Sequence, residues 1–269
     1  MACRLTASIR CTIVAVLLTG AAGTAIAAES RWSENESGRL RIVAAPADAE
    51  GIVRGFVDIE LKPGWKTYWR DPGESGIPPR IETESGEARL YFPPPVRVEH
   101  DYASFVGYKR SVRLPLTVRG AAEALTASIF VGVCEKICVP VRETVTLALD
   151  KALPPLQAAM IDAAFDELPD APAPDFHIAD VALSGDGSQI TVTALLPTEA
   201  AAESSAELFA TVPEGFSLAA PVKTGHDGRK ARFEVAVERR PEGAELAGEE
   251  LKLLVKTLSK SMEETVTLP

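Results

Sequence analysis

The 269-residue chain predicts an all-β protein: two tandem immunoglobulin-like β-sandwich domains joined by a short helix and a Pro-rich linker. Three observations carry that expectation. Short runs alternate apolar and polar residues with period two, and Gly and Pro clusters punctuate them. One helical run sits near the middle and ends at Pro169, Pro172 and Pro174, after which strand-like runs resume. A composition of 46% hydrophobic and 25% charged residues excludes disordered and low-complexity classes. The formal charge of −10 argues against a nucleic-acid-binding surface.

The elements follow in order. Arg4 and Arg10 precede the apolar run from Thr12 to Leu18, and Ala25-Ile26-Ala27 offers a cleavage site, so residues 1–27 read as a secretory signal peptide. Cys3 and Cys11 leave with it, and the exported chain keeps only Cys134 and Cys138. No later stretch is apolar for long enough to span a bilayer, so the mature chain is expected to be soluble, in a compartment where disulfides form. Residues 28–150 form the first expected domain. Val53, Gly55, Val57, Ile59 and Leu61 share one strand face, as do Val112, Leu114, Leu116 and Val118. Residues 151–174 hold a helix from Pro154 to Leu168, with Leu156, Met160, Ala163 and Ala164 near helical spacing, and then the linker. Residues 175–269 form the second domain, with strands expected at 178–183, 190–196, 208–212, 233–237, 251–258 and 265–268. It has no Cys and no concentrated polar cluster, which suits a structural or docking module.

The chemistry concentrates in Gly132-Val133-Cys134-Glu135-Lys136-Ile137-Cys138-Val139-Pro140. Leu125, Ala127, Ile129, Val131 and Val133 alternate on one face before the pair; Val139, Val141, Val145, Leu147 and Leu149 do so after it. A hairpin with Cys134 opposite Cys138 sets Val133 against Val139, Val131 against Val141, Ala127 against Val145 and Leu125 against Leu147. The same register pairs Ser128 with Thr144 and Thr126 with Thr146, leaving only Glu143, opposite Ile129, out of pattern. Directly opposed residues lie within disulfide reach. The alternation puts both sulfurs on the face away from the aliphatic one, whereas a sandwich staple lies in the core. A bond closing so small a loop contributes only about 2 kcal/mol in the chain-entropy model. Two roles fit such a bond: a reversible redox pair, or an inert local disulfide in a non-catalytic binding or assembly module.

Other chemistries lack residues. His100, His177 and His226 are scattered and there is no second Cys pair, so no metal site is expected, zinc included. No Met lies nearby to support copper(I) on two thiolates. Nucleophilic hydrolysis has only His100 as a conceivable base, and a thioredoxin-type site lacks its C-x-x-C. No cofactor is expected.

Together with the Cys pair, the segment Gly64-Trp65-Lys66-Thr67-Tyr68-Trp69-Arg70-Asp71-Pro72-Gly73-Glu74-Ser75-Gly76-Ile77-Pro78-Pro79 resembles the N-terminal periplasmic domain of the membrane thiol:disulfide reductase DsbD. Within that family it looks most like the branch that includes the copper-sensitivity suppressor ScsB. The resemblance covers roughly residues 30–150. It implies a periplasmic immunoglobulin-like domain whose dithiol, Cys134 and Cys138, shuttles reducing equivalents. The implied donor is a membrane-embedded thiol reductase, met in trans because no electron channel follows the second domain. The implied acceptors are periplasmic thioredoxin-like or disulfide isomerase proteins and cytochrome c maturation proteins. The family's second cysteine forms the mixed disulfide with partners, which falls on Cys138 here, with Cys134 resolving it. Its aromatic-tipped cap loop falls near Glu99 to Phe105, making Tyr102 and Phe105 the cap residues and Glu99 and Asp101 tuners of thiol acidity. Lys136, between the cysteines, is placed to stabilise a thiolate. Better-known members space the cysteines further apart. Trp65 and Trp69 share a strand face and read as core residues.

Overall fold

The computed structural model describes residues 29–73, 76–84, 86–98, 105–121, 123–150, 152–198 and 205–269. The first half of the chain contributes β1 (Ser33–Asn35), β2 (Gly38–Ala44), β3 (Ile52–Leu61), β4 (Lys66–Tyr68), β5 (Arg80–Thr83), β6 (Glu87–Leu90), β7 (Val96–Val98), β8 (Phe105–Tyr108), β9 (Val112–Arg119), β10 (Ala124–Cys134) and β11 (Cys138–Ala148). They form two sheets, β1-β2-β3-β9-β6 and β11-β10-β4-β8-β7, with β5 added beside β10. Between the sheets lie Ile42, Val57, Leu114, Leu116, Leu125, Ile129 and Leu147, all removed from solvent. The face assignments expected for β3, β9 and β10 come from the same alternation that fills this layer.

After the helix α1 (Pro155–Asp166), the second half contributes β12 (His177–Leu183), β13 (Gln189–Leu195), β14 (Glu207–Thr211), β15 (Ser217–Leu218), β16 (Val222–Asp227), β17 (Lys230–Arg239), β18 (Glu250–Lys256) and β19 (Ser261–Thr267). One sheet runs β12-β13-β17-β15, with β16 also on β17, and the other runs β14-β18-β19. Ile190, Val192, Phe233, Leu251 and Leu253 fill the space between them. The protein is an all-β pair of immunoglobulin-like sandwiches. Among the described residues no helix is long and apolar enough to cross a membrane.

The helix buries a partly different face from the one its spacing suggests, and the linker after it gains a partner. The helix buries Ile161 and Ala164, while Leu156 is 70% exposed and Ala163 faces solvent. The reason lies in the sheet beneath it. Val43 and Phe56 point outward from β2 and β3, and α1 covers them in a small core of its own. Arg54 reinforces the dock, pairing with Asp162 at 3.2 Å and lying 4.3 Å over the Phe165 ring. The linker is not a free spacer. Asp170 donates its N–H to the Ser261 carbonyl at 2.9 Å and accepts from the Glu263 N–H at 3.0 Å, which pairs the linker with β19.

Candidate functional site

The hairpin β10–β11 adopts the register read from its two faces, from Leu125 opposite Leu147 to Cys134 opposite Cys138. The two cysteines close a disulfide, with Cα atoms 4.1 Å apart. Val133, Val131 and Ile129 face the aliphatic core, so the sulfurs emerge on the other side of the sheet.

Strand β4 lies beside β10 and decides what covers them. Cys134 is opposite Lys66 and Val133 opposite Thr67. The buried Thr67 hydroxyl donates to the Gly132 carbonyl at 2.8 Å and locks that register. Tyr68 therefore rises on the cysteine face, while Trp69 turns into the aliphatic core at 1% exposure and Trp65 packs partly against it. The Tyr68 hydroxyl lies 2.9 Å from Cys138 Sγ. A disulfide sulfur carries no proton, so the phenol is the donor. Burial raises the Tyr68 pKa, which keeps that proton in place.

A glycine makes room for this ring. A Cβ on Gly132 would stand 2.5 Å from Ile77 Cβ and 3.0 Å from Tyr68 Cδ2. Val98 and Phe105, paired across β7 and β8, complete a second small cluster with Tyr68, Ile77 and Cys134. Phe105 meets Tyr68 edge-on, centroids 6.3 Å apart, and Lys66 Nζ lies 4.1 Å over the Phe105 ring. Burial, and secondarily Lys109, lower the Lys66 pKa. Cys134 is 5% exposed beneath these groups. Glu135, Lys136 and Cys138 are exposed, and Ile137 is 76% exposed at the tip. One sulfur is thus shielded and the other presented.

Of the residues expected from sequence, Cys134, Cys138 and Phe105 come together. Lys136 sits on the exposed turn between the cysteines. Tyr102, Glu99 and Asp101 lie outside the described residues. Sequence reasoning missed Tyr68, Lys66, Ile77 and Val98. A usable signal existed for the first two: if Trp65 and Trp69 face the core, Lys66 and Tyr68 alternate onto the opposite, cysteine-bearing face.

Residues 42–150 match the family described as thiol:disulfide interchange protein DsbD, N-terminal. Among solved structures, the N-terminal periplasmic domain of ScsB from Proteus mirabilis superposes with a TM-score of 0.76 at 21% identity, covering 90% of this chain and 98% of that one. The likeness in fold therefore extends through the second sandwich. No curated protein matches the sequence.

Proposed function

We propose, from the premise that residues 42–150 form a DsbD N-terminal-like domain in a ScsB-like fold, that this protein exchanges thiols for disulfides through Cys134 and Cys138. The observation that carries the proposal is the asymmetry of the pair: Cys134 shielded under Tyr68 and Phe105, Cys138 exposed with a hydrogen bond on its sulfur. A thiolate of a donor dithiol attacks Cys138 Sγ, forming a mixed disulfide and expelling Cys134 as a thiolate that takes up a proton. The donor's second thiolate then breaks the mixed disulfide and leaves as part of the donor's own disulfide. Two electrons and two protons have moved to Cys134 and Cys138. Delivery to an acceptor reverses the roles, with the Cys138 thiolate attacking the acceptor disulfide and Cys134 resolving the adduct. The Tyr68 O–H favours the Cys138 thiolate, as hydrogen bonds to charged sulfur do. The aromatic cover over Cys134 restricts its access to adventitious thiols.

In this reading residues 1–27 direct export to the periplasm, 28–150 form the redox domain, 151–174 the helix and linker, and 175–269 the second domain. The donor is a membrane-embedded thiol reductase acting in trans, and the acceptors are periplasmic thioredoxin-like or isomerase proteins. Redox titration tests the reading. A potential of roughly −180 to −270 mV is expected, and a value below about −300 mV marks an inert bond instead. In periplasmic extract, Cys134→Ser should accumulate mixed disulfides through Cys138 and Cys138→Ser should trap few. Equal trapping by both variants overturns the assigned roles.

A further inference from the structure

The segments that bring Tyr68 and Val98 to the cysteines are the segments that the second sandwich holds. Arg70, two residues after Tyr68, donates from Nε to Thr211 Oγ1 at 3.1 Å and from Nη2 to the Glu263 carboxylate. Its guanidinium lies 4.2 Å over the Trp69 ring, which meets Phe209 edge-on at 5.8 Å. Arg97, one residue before Val98, donates to the Leu208 carbonyl at 3.2 Å and lies 5.1 Å from the centre of the Phe209 ring. Lys256 Nζ donates to the Pro95 carbonyl at 2.8 Å. Phe209 and Leu254, both from the second half of the chain, belong to the core of the first sandwich.

Tyr68 and Trp69 are consecutive residues with opposite facings, so one peptide unit joins a ring wedged at the inter-sandwich contact to a hydroxyl resting on Cys138. Packed side chains do not deform continuously, and a displacement of Trp69 is passed to Tyr68. We infer that Arg70 and Glu263 are positioning residues through which the second sandwich holds Tyr68 on Cys138 Sγ and the Val98–Phe105 pair closed over Cys134, and so limits the rate at which thiols break the bond. The physiological meaning of this control rests on the exchange reading; the control itself is a property of the disulfide.

The test measures reduction of Cys134–Cys138 by dithiothreitol in the full-length chain. Arg70→Ala and Glu263→Ala should each be reduced about fivefold faster than the parent, within the range of coupled neighbours. Glu263→Gln, which keeps an acceptor for Arg70, should return most of the parent rate. In a Phe105→Ala background, where the cover is already open, Glu263→Ala should add no acceleration. Val192→Ala, in the second core away from the contact, should lower Tm and leave the rate unchanged. Parent rates in the folded Glu263→Ala variant, or equal acceleration in Val192→Ala, overturn the inference; Glu263→Ala carries the test if Arg70→Ala does not fold. If these rates behave as stated while no thioredoxin-like protein exchanges with the parent disulfide, the exchange reading fails and the coupling stands.

Discussion

Tyr68 reaches Cys138 across 70 positions of sequence and supplies the one described side-chain hydrogen bond to the pair. Tyr68→Phe keeps the ring and its edge contact with Phe105 but removes the donor. Alkylation of reduced Cys138 by iodoacetamide near neutral pH should slow roughly tenfold, the scale of one hydrogen bond to a charged group. Thermal stability should fall by only about 1 kcal/mol. Asp58 offers a separate test by pH. It is 4% exposed, with Arg41 at 3.5 Å and Arg113 at 3.6 Å. Burial raises its pKa, outweighing the opposing pull of Arg113 and Arg41. The native protein therefore keeps a proton that the unfolded chain has already lost, and stability declines as pH rises through that window. Asp58→Asn should flatten the decline, read as Tm against pH from the ordinary carboxylate range upward, with Asp71, also raised by burial, leaving a residual slope of the same sign.

At the scale of elements, the hairpin explains how a bond of so little entropic worth is formed. A Cα separation of 4.1 Å marks the close, non-hydrogen-bonded kind of antiparallel pair. Two residues on, Gly132 opposite Pro140 is the same kind, so Pro140 turns its missing N–H outward on edge strand β11 and costs no ladder bond. The hairpin is held by the whole register and by the core beneath it. Replacing Cys134 and Cys138 together with Ser should leave a folded protein about 2 kcal/mol less stable, measured by denaturant titration. Gly132→Ala should cost about 1–3 kcal/mol through overpacking against Ile77 and Tyr68. Because the displaced groups form the cover, the variant should also be reduced faster by dithiothreitol. The helix shows the limit of pattern at this scale: which residues it buries depends on Val43 and Phe56 beneath it.

For the whole molecule, the second sandwich completes the first rather than trailing from it. Trp69 is sealed by Phe209, and the linker runs alongside β19 through Asp170. Phe209→Ala should lower stability by about 3–5 kcal/mol, as deletion of a buried aromatic does. Trp emission should shift to the red as water reaches Trp69, and an unshifted spectrum would mean that the ring is sealed by other groups. This inter-sandwich dependence had no signature in the sequence, where residues 175–269 read as a module without chemistry of their own.

Period-two alternation specifies which residues of a strand look the same way, and it does so locally. The sandwich class, the register of β10 on β11, the facing of both cysteines away from the aliphatic core, and the core positions of Trp65 and Trp69 were therefore all legible in residue order alone. The Trp-rich segment and Cys pair also carry the resemblance to the DsbD N-terminal family, which residues 42–150 match. What covers a given face is a different kind of information, because it depends on chain segments brought together over long separations. It took the folded chain to show that Tyr68 donates to Cys138, that Val98 joins Phe105 over Cys134, that α1 closes over Phe56, and that Phe209 fills a gap in the first core. Each is a packing solution between elements with no shared periodicity, since burial rewards whichever surface fits and leaves no repeat in either partner's sequence.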